Sequence, residues 1–375
     1  MSFAALGVPP SLLKILSQQN YQEPYPIQEQ VIPAILKGKD VLGIAPTGSG
    51  KTAGYVLPVL MNLQGKTLSQ NRHINVLVLV PIRELAEQVK EVFRKFAPAL
   101  PGRIKTLAVY GGVSINPQMM SLQGVNILVA TPGRLLELLS SNAVHLSQTD
   151  TLVLDEADKM LNLGFKEEVN KIFALLPKKR QNLLFSATLN NDVSHINQIL
   201  LHEPEIIKIE EEENYIDLIT QKGYLVGDEK KGPLLRNLIK ENDWQQVLVF
   251  TSSVYQADNV ASKLNKNGVE AMAIHSKKSQ GARTEALRRF KAGQLRVLVA
   301  TDLISRGIDI KFLPLVINYE LPRSPKDYVH RIGRTGRAES PGTAISFISP
   351  AEEHHFKIIQ KKMGKKVDIV ESDLL

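Results

Sequence analysis

The stretch VLVLVPIRELAEQ, residues 76–88, joins a run of aliphatic residues to a segment with the polar and apolar spacing of a helix. A similar stretch, VLVFTSSVYQADN, occupies residues 247–259. ILVATPGR (127–134) and VLVATDLI (297–304) form a second pair at nearly the same offset. The shared order and near-constant offset favour a duplicated fold over a chance likeness between buried strands.

Runs of Val, Ile and Leu alternate with helical segments along the rest of the chain. They include VLGIAPTG, TLAVYGG, NILVATPG, TLVLDEAD and NLLFSAT in the first half, and EAMAIHS, RVLVATD, LVINYELP and GTAISFIS in the second. Continuous apolar strands that alternate with helices indicate parallel sheets with both faces covered. The sequence therefore predicts an α/β protein with two similar domains, each a parallel β-sheet flanked by helices.

A run of glutamates separates the two copies. Residues 205–221 read EIIKIEEEENYIDLITQ, and consecutive like charges cannot be buried together. We expect an exposed linker at residues 208–217, between an N-terminal domain (1–207) and a C-terminal domain (218–375). Two domains on a short tether can open and close relative to each other.

The composition excludes several classes of protein. The chain has 375 residues and no cysteine, which excludes disulfides and cysteine zinc sites. No apolar run reaches the length of a membrane span, and the start MSFAALGVPP lacks the basic region of a signal peptide, so we expect a soluble, cytoplasmic protein with no membrane partner. We also expect a monomer. The net charge of +8 is shared by both halves and favours a polyanionic partner that touches both, although many basic proteins bind none.

The segment APTGSGKT, residues 45–52, follows the apolar run DVLGI and precedes a helical stretch. This is the context of a phosphate-binding loop, in which glycines let backbone N–H groups turn towards phosphates. Lys51 would supply a positive charge to the β- and γ-phosphates, and the Thr52 hydroxyl would be a ligand of Mg²⁺. Ala45 stands where glycine is usual but still permits the turn; a flexible Gly/Ser turn is the alternative.

The run TLVLDEAD ends in the carboxylates Asp155, Glu156 and Asp158. In open parallel sheets, ligands sit beyond the carboxyl ends of the strands. We expect Asp155 to hold Mg²⁺ through water and Glu156 to orient or deprotonate the attacking water. An acidic helix N-cap is the alternative interpretation.

Several motifs, in this order, resemble those of the DEAD-box RNA helicases. They are APTGSGKT, PIRELA (81–86), GG (111–112), TPGR (131–134), DEAD (155–158), SAT (186–188), ATDLISRGID (300–309) and HRIGRTGR (330–337). The resemblance runs from about residue 3 to about residue 350 and implies two tandem RecA-like domains that use ATP, Mg²⁺ and RNA. HSKKSQGAR (275–283) is further similar to bacterial RhlE-type members.

The resemblance also implies the nucleotide contacts. NYQEPYPIQ (20–28) resembles the family's adenine-recognition motif, in which Gln28 reads the adenine edge, Tyr21 stacks on the ring and Phe3 supports both. Asn20 replaces the usual glycine and Tyr25 the usual threonine, which affects a backbone turn and one loop contact. The remaining implied contacts are Ala45, Thr47, Gly48, Ser49, Gly50, Lys51, Thr52, Gly307 and Asp309, and the implied coupling residues are Asp158, Ser186 and Thr188.

HRIGRTGR crowds His330, Arg331, Arg334 and Arg337 together, and such like charges repel unless an anion neutralises them. The second half has no phosphate loop of its own, since the strand end matched there reads FTSSVYQ. If the domains close, Arg334 and Arg337 reach the γ-phosphate held by the other domain and stabilise the transition state. By resemblance, His330 links this interface to the DEAD and SAT segments. A solvated basic loop is the alternative.

The resemblance assigns RNA-backbone contacts to residues in both domains. Backbone amides, hydroxyls and arginines position a strand without reading its sequence, and contacts to 2′-hydroxyls select RNA over DNA. Ile82 replaces the usual threonine, so one hydroxyl contact is lost. Each of these residues could instead have a purely local structural role. They are Pro81, Arg83, Gly111, Gly112, Thr131, Gly133 and Arg134 in the first domain, and Gln280, Arg283 and Thr301 in the second.

The leading hypothesis is an RNA-stimulated ATPase that binds ATP and single-stranded RNA together, bends the strand on closing and separates short duplexes locally. A DNA helicase or translocase of the same superfamily is disfavoured by the DEAD tetrapeptide and the Gln28 motif. A nucleotide-gated RNA clamp, whose hydrolysis is incidental, remains the third alternative.

Overall fold

The computed structural model describes residues 1–46, 48–66, 68, 71–189, 191–209, 218–302, 313–336 and 342–371, with the backbone alone at 191 and 192. The chain divides into two compact units, Met1–Glu211 and Glu212–Leu375. This boundary falls within the predicted linker, of which residues 210–217 lie outside the described part. Lys208, expected in the linker, ends a strand of the first unit. In the part of the chain that is described, no helix is both long and apolar enough to cross a membrane.

The first unit is a parallel sheet with helices on both faces. Its strands follow the order β3-β4-β2-β5-β6-β1-β7 across the sheet. The elements are α1 (Pro10–Gln18), α2 (Pro26–Leu36), β1 (Val41–Ile44), α3 (Lys51–Leu63), β2 (Val76–Leu79), α4 (Arg83–Phe96), β3 (Thr106–Val109), α5 (Ile115–Ser121), β4 (Ile127–Ala130), α6 (Pro132–Ser140), β5 (Thr151–Leu154), α7 (Ala157–Asn162), α8 (Lys166–Leu175), β6 (Gln181–Ser186), α9 (Asn191–Leu200) and β7 (Glu205–Lys208).

The second unit has the same architecture. Its strands follow the order β10-β11-β9-β12-β13-β8-β14, again all parallel. The elements are β8 (Ile219–Leu225), α10 (Asp228–Glu241), β9 (Val247–Thr251), α11 (Val254–Lys266), β10 (Ala271–Ile274), α12 (Gln280–Lys291), β11 (Val297–Thr301), β12 (Leu315–Asn318), α13 (Pro325–Ile332), β13 (Gly342–Ile348), α14 (Glu353–Met363) and β14 (Asp368–Glu371).

The two strand orders coincide when β1 to β7 are replaced in turn by β8 to β14. The duplicated α/β fold predicted from the repeated motifs is therefore confirmed. The topology corrects the expectation that FTSSVYQ, at the end of β9, matches the end of the strand before the phosphate loop. The strand before the phosphate loop is β1, and its counterpart is β8 rather than β9, so the corresponding loop of the second unit is the one between β8 and α10.

Several inner strands of each sheet are buried along their whole length, among them β9, β11 and β12 of the second sheet. VLGI in β1, VLVL in β2, ILVA in β4 and TLVL in β5 are buried at every position. Helices cover both faces, so successive side chains of a strand enter two separate apolar layers. The carboxyl ends of these strands remain as the edge at which loops can present functional groups.

Candidate active site

The phosphate loop joins β1 to α3 at the carboxyl edge of the first sheet. Gly48 and Gly50 have positive φ angles of 95° and 88°, which glycine adopts without strain. A Cβ atom at Gly50 would lie 2.5 Å from Gln28 Nε2 and 2.8 Å from Tyr25 Cδ2, so no side chain fits there. Ala45 is buried, has no positive φ, and donates its N–H to the Ser186 carbonyl over 3.1 Å. An alanine is therefore compatible with the first loop position.

Lys51 is the first residue of α3, and its ammonium group folds back over the loop. Its Nζ donates to the carbonyl oxygens of Ala45 and Pro46, the latter over 3.1 Å. Burial lowers the pKa of Lys51, and the carboxylates of Asp155 and Glu156 oppose that shift. The loop thus holds a buried cation beside the carboxylates. Thr47 lies outside the described residues, and its predicted contact stays a prediction.

Asp155 follows β5 directly and is almost completely buried. One carboxylate oxygen accepts the Glu156 N–H and the other accepts the Tyr55 hydroxyl, each over 2.9 Å. Burial, followed by the neighbouring Glu156 charge, raises the pKa of Asp155 to about 6, against the opposing effect of Lys51. The carboxylate is therefore fixed in orientation by two donors while it faces the phosphate-loop cation.

Glu156 has an unusual backbone conformation. Its φ of 53° lies in the left-handed region, which costs a non-glycine residue about 1–2 kcal/mol. Its carboxylate pairs with Lys159 Nζ at 2.7 Å, and both side chains are mostly buried. Strain of this kind is concentrated at functional sites in proteins.

The DEAD and SAT segments are in direct contact. The Thr188 hydroxyl donates to one oxygen of Asp158 over 3.1 Å, and the Ser186 hydroxyl donates to the Thr188 carbonyl over 2.7 Å. The other oxygen of Asp158 is buried and has no hydrogen-bond partner among the described residues. The three predicted coupling residues are therefore brought together, with one acceptor left open.

The adenine-recognition segment packs against the phosphate loop through Gln28. The fully buried Gln28 accepts the Tyr25 N–H over 3.0 Å and donates Nε2 to the Gly50 carbonyl over 2.9 Å. Asn20 has a φ of 59°, so the turn that usually contains glycine is kept by a residue that tolerates this conformation.

The two aromatic residues assigned to adenine lie on the same side of the unit. The ring of Tyr21 contacts Phe96 edge to face, with centroids 5.9 Å apart. Phe3 is buried in the apolar layer that also contains Phe96, and its carbonyl accepts two N–H groups of the N-terminal turn. Phe96 was not expected from the sequence; it fixes the plane of the Tyr21 ring.

The RNA-contact residues assigned to the first domain follow three neighbouring strands, β2, β3 and β4. The guanidinium of Arg83 lies over the GG pair, since a Cβ atom at Gly112 would be 2.9 Å from Arg83 Nη1. Arg134 is buried, and it donates to Glu137 and to the Val113 carbonyl, each over 2.8 Å. Its third nitrogen, Nη1, is buried and has no hydrogen-bond partner in the described part of the chain.

The remaining members of this set also lie at the carboxyl edge. Pro81 and Thr131 are buried directly beyond β2 and β4, Gly133 has open space where a Cβ would project, and Gly111 is exposed. Ile82 takes the N-cap position of α4 without any side-chain cap hydrogen bond. As expected from the replacement of threonine by Ile82, no side-chain hydroxyl is present at the start of α4.

The assigned RNA contacts of the second unit lie at the corresponding edge. Thr301 ends β11 and is buried, next to Thr251 of β9. Gln280 begins α12; its Nε2 donates to Thr284 over 3.2 Å, while its Oε1 is buried with no hydrogen-bond partner in the described ranges. Arg283 is buried one turn later on the same helix.

The structure of HRIGRTGR corrects the expectation that all its basic side chains are neutralised by one bound anion. Arg331 is buried and forms a bidentate ion pair with Asp302 of its own unit, with one N···O distance of 2.7 Å. It also donates to Asn318 Oδ1 over 3.2 Å and lies 5.1 Å from the Phe250 ring centre. The like charges seemed unneutralised because Asp302 is distant in the sequence.

The other members of this motif are only partly described. His330 lies in the last turn of α13, and Arg334 is buried in the turn that follows. Arg337, Gly307 and Asp309 lie outside the described residues, and their roles stay predictions.

Comparisons with known proteins agree with these motifs. The family profile described as DEAD/DEAH box helicase matches residues 25–196, and that described as Helicase conserved C-terminal domain matches residues 230–339. The chain is 38% identical over 366 residues to the ATP-dependent RNA helicase CshA of Listeria monocytogenes, covering 97% of this chain and 69% of that protein. It is 40% identical over 362 residues to CshA of Limosilactobacillus reuteri, covering 96% and 72%. The narrower likeness to RhlE-type members stays a prediction.

Solved structures show the same architecture. Dbp5 of S. cerevisiae bound to RNA and ADP BeF3 has a TM-score of 0.85 at 29% identity, with 99% of this chain and 96% of that chain covered. A DEAD box protein from the hyperthermophile Methanococcus jannaschii has a TM-score of 0.56 at 35% identity, with 99% of each chain covered. The predicted pair of RecA-like domains is therefore confirmed.

Proposed function

This chain belongs to the DEAD-box family of ATP-dependent RNA helicases, and we propose that its two units share one active site that forms around ATP and RNA. It is accordingly an ATP-hydrolysing enzyme that acts on RNA. The observation that carries the proposal is the group Lys51, Asp155 and Glu156, assembled beside a glycine-lined loop in the first unit.

The loop offers groups that suit the phosphates of ATP. Lys51 is held by main-chain carbonyls, so a phosphate oxygen can replace these weak acceptors with a charged one. The Ser49 hydroxyl is buried and lacks a hydrogen-bond partner within the described residues, as expected for a donor that serves an absent acceptor. Gln28 and Tyr21 would recognise the adenine, since the Gln28 amide has a second N–H and a second lone pair beyond the two hydrogen bonds that it makes here.

Thr52 and Asp155 fit the expected Mg²⁺ ion. Magnesium in nucleotide sites takes one or two protein oxygens and completes its shell with water and substrate phosphates. When bound, the ion would neutralise charge on the β- and γ-phosphates. No cluster of three or more His, Cys, Asp or Glu side chains that could hold a metal alone occurs in the ranges described, which suits an ion shared with the nucleotide.

We assign to Glu156 the orientation or deprotonation of the attacking water. In the resting site this carboxylate is paired with Lys159 Nζ at 2.7 Å. Hydrolysis would begin when this carboxylate meets a water in line with the γ-phosphate.

RNA binding is proposed to follow the carboxyl edges of both sheets. The open Nη1 of Arg134 in the first unit and the open Oε1 of Gln280 in the second are buried polar atoms without hydrogen-bond partners among the described residues. An arginine nitrogen suits a phosphate oxygen and an amide oxygen suits a 2′-hydroxyl, so neither contact reads the base. We therefore propose sequence-independent binding, with local separation of short duplexes when the strand is bent.

Closure of the two units is proposed to bring Arg334, Arg337 and His330 to the nucleotide. The second unit has no phosphate loop in its described residues, so its arginines have no nucleotide of their own to serve. Arginine fingers of this kind contribute about 10³ to 10⁵ in rate. The alternative is a clamp, in which the same closure holds RNA without separating a duplex.

Steady-state ATP hydrolysis with Mg²⁺ tests the proposal. We expect single-stranded RNA to stimulate hydrolysis strongly, DNA of the same sequence to stimulate it weakly, and Arg334→Ala to lose the stimulated rate while keeping ATP affinity. Equal rates with and without RNA, or full activity of Arg334→Ala, would contradict a shared site. Release of a short duplex, measured beside RNA retention, separates the helicase from the clamp.

A further inference from the structure

Tyr55 contacts Asp155, one of the two side chains that fit Mg²⁺, although no motif of the sequence points to it. It lies on α3 one turn after Lys51, and its side chain is fully buried. Its hydroxyl donates to Asp155 Oδ2 over 2.9 Å. A residue of α3 thus holds the carboxylate that follows β5.

The packing of the ring fixes this hydroxyl in place. Tyr55 contacts Phe185 of β6, with ring centroids 5.2 Å apart. Phe185 in turn occupies the space beside Gly43 of β1, where a Cβ atom would lie 2.6 Å from the Phe185 ring. Close packing on this side leaves the Tyr55 ring little freedom to turn away from Asp155.

We propose that Tyr55 is a positioning residue that holds Asp155 in the orientation in which this carboxylate can serve Mg²⁺. The Tyr55 proton is directed at Asp155 Oδ2 and the Glu156 N–H at Oδ1, so the carboxylate cannot rotate. Hydrogen bonds to ligand side chains of this kind tune metal affinity in other sites.

A purely structural role is the competing explanation, because a buried hydroxyl needs some acceptor. The two explanations differ in what phenylalanine would do. Tyr55→Phe keeps the ring and its packing on Phe185, and removes only the hydroxyl. A structural role predicts lower stability with unchanged use of Mg²⁺, whereas a positioning role predicts weaker use of Mg²⁺.

The test is the Mg²⁺ dependence of binding a fluorescent ADP, without RNA and without turnover. For Tyr55→Phe we expect the Mg²⁺ concentration at half-maximal effect to rise about tenfold, the low end for loss of such a partner. ADP affinity in EDTA should be unchanged. Tyr110→Phe is the matched control, since its hydroxyl also bonds a carboxylate, Glu87, over 2.9 Å within the same unit. Unchanged Mg²⁺ dependence in Tyr55→Phe would overturn the proposal.

A double-mutant cycle with Asp155→Asn separates positioning from folding. If Tyr55 acts through Asp155, removal of its hydroxyl should have little further effect on Mg²⁺ dependence in that background. Equal effects in both backgrounds, or a Tyr55→Phe variant that is unfolded in EDTA, would contradict the positioning role. The inference rests on the proposed Mg²⁺ site, which is tested separately with the wild type. If ADP binding by the wild type does not depend on Mg²⁺, the site itself is rejected.

Discussion

The loops between β1 and α3 and between β8 and α10 occupy the same place in the two copies of one fold, yet only the first has the glycines and the lysine of the proposed phosphate loop. Neither Asp nor Glu occurs in the first turn of α3, which begins with Lys51 and Thr52. The first turn of α10 contains Asp228 and Glu229. Helix N-termini attract anions, and in α10 the protein supplies its own.

Lysines in these two helix starts show the same contrast. In the described part of the loop, Lys51 donates to the main-chain carbonyls of Ala45 and Pro46, and it faces Asp155. Lys231 is buried between Asp228 at 2.8 Å and Glu352 at 3.2 Å. One cation is available to a ligand and the other is neutralised internally. Duplicated topology therefore sets the position of a site, while a few local charges decide whether it can bind anything.

The largest effect is expected at the carboxylates that follow β5 and its counterpart β12. Glu156→Gln should lower RNA-stimulated turnover by about 10² to 10⁴, the usual contribution of a general base, while ATP and RNA binding persist. Glu320→Gln is the matched change at the end of β12, the counterpart of β5, where the carboxylate accepts the Ser252 N–H over 2.6 Å. It should leave turnover within a few-fold of wild type. Near-normal turnover in Glu156→Gln would contradict the role given to Glu156.

The lysine pair gives the next effect. Lys51→Ala should reduce ATP hydrolysis by about 10² to 10³, as does loss of a single preorganised donor in other active sites. Lys231→Ala should keep ATP affinity and instead lower the midpoint of urea unfolding, because Glu352 and Asp228 lose their partner. Both variants are measured for hydrolysis and for unfolding. A loss of hydrolysis in Lys231→Ala with unchanged stability would erase the distinction between the two loops.

The glycine pair tests the backbone of the same loops. Gly50→Ala places a side chain at a φ of 88° and against Gln28, so we expect a loss of about 1–2 kcal/mol in unfolding free energy and weaker ATP binding. In Gly227→Ala, φ is −63° and the near neighbour is the movable end of Glu229, so the change should stay within about 0.5 kcal/mol. Urea unfolding and ADP titration compare the two. Equal losses would mean that the α3 start is no more constrained than the α10 start.

Inner strands such as β2 (VLVL) and β4 (ILVA) could be predicted from the sequence because their residues are apolar at every position. β7 (EIIK), β8 (ITQKGYL) and β14 (DIVE) lack this signature, and their pairing is set by neighbours rather than by local pattern. β14 is exposed along its whole length, so no burial pattern marks it. For this reason a comparison of apolar runs pairs the phosphate-loop strand β1 with β9, although its counterpart in the fold is β8.

The candidate site was predictable where its motif residues are close in the chain, as in 45–52 and 155–158. Contacts that span the fold were not, such as Arg331 with Asp302 or Tyr55 with Asp155. Tyr55 had one usable signal, since it follows Lys51 by one helical turn and therefore projects from the same face of α3. Nothing local marked the acceptor that this face would meet.

The smallest expected effect asks whether charge alone separates the two loops. Asp228→Asn with Glu229→Gln removes the acidic groups from the first turn of α10 and should cost about 0.3–1 kcal/mol each in stability. We expect no gain of ADP binding in the second unit, because α10 starts from Gly227 at a negative φ and lacks a loop whose N–H groups turn inward. A Lys51→Ala background removes the first site, and ADP titration then reports on the second unit alone. New binding there would show that the acidic turn, rather than the backbone of the loop, keeps the second copy closed to phosphate.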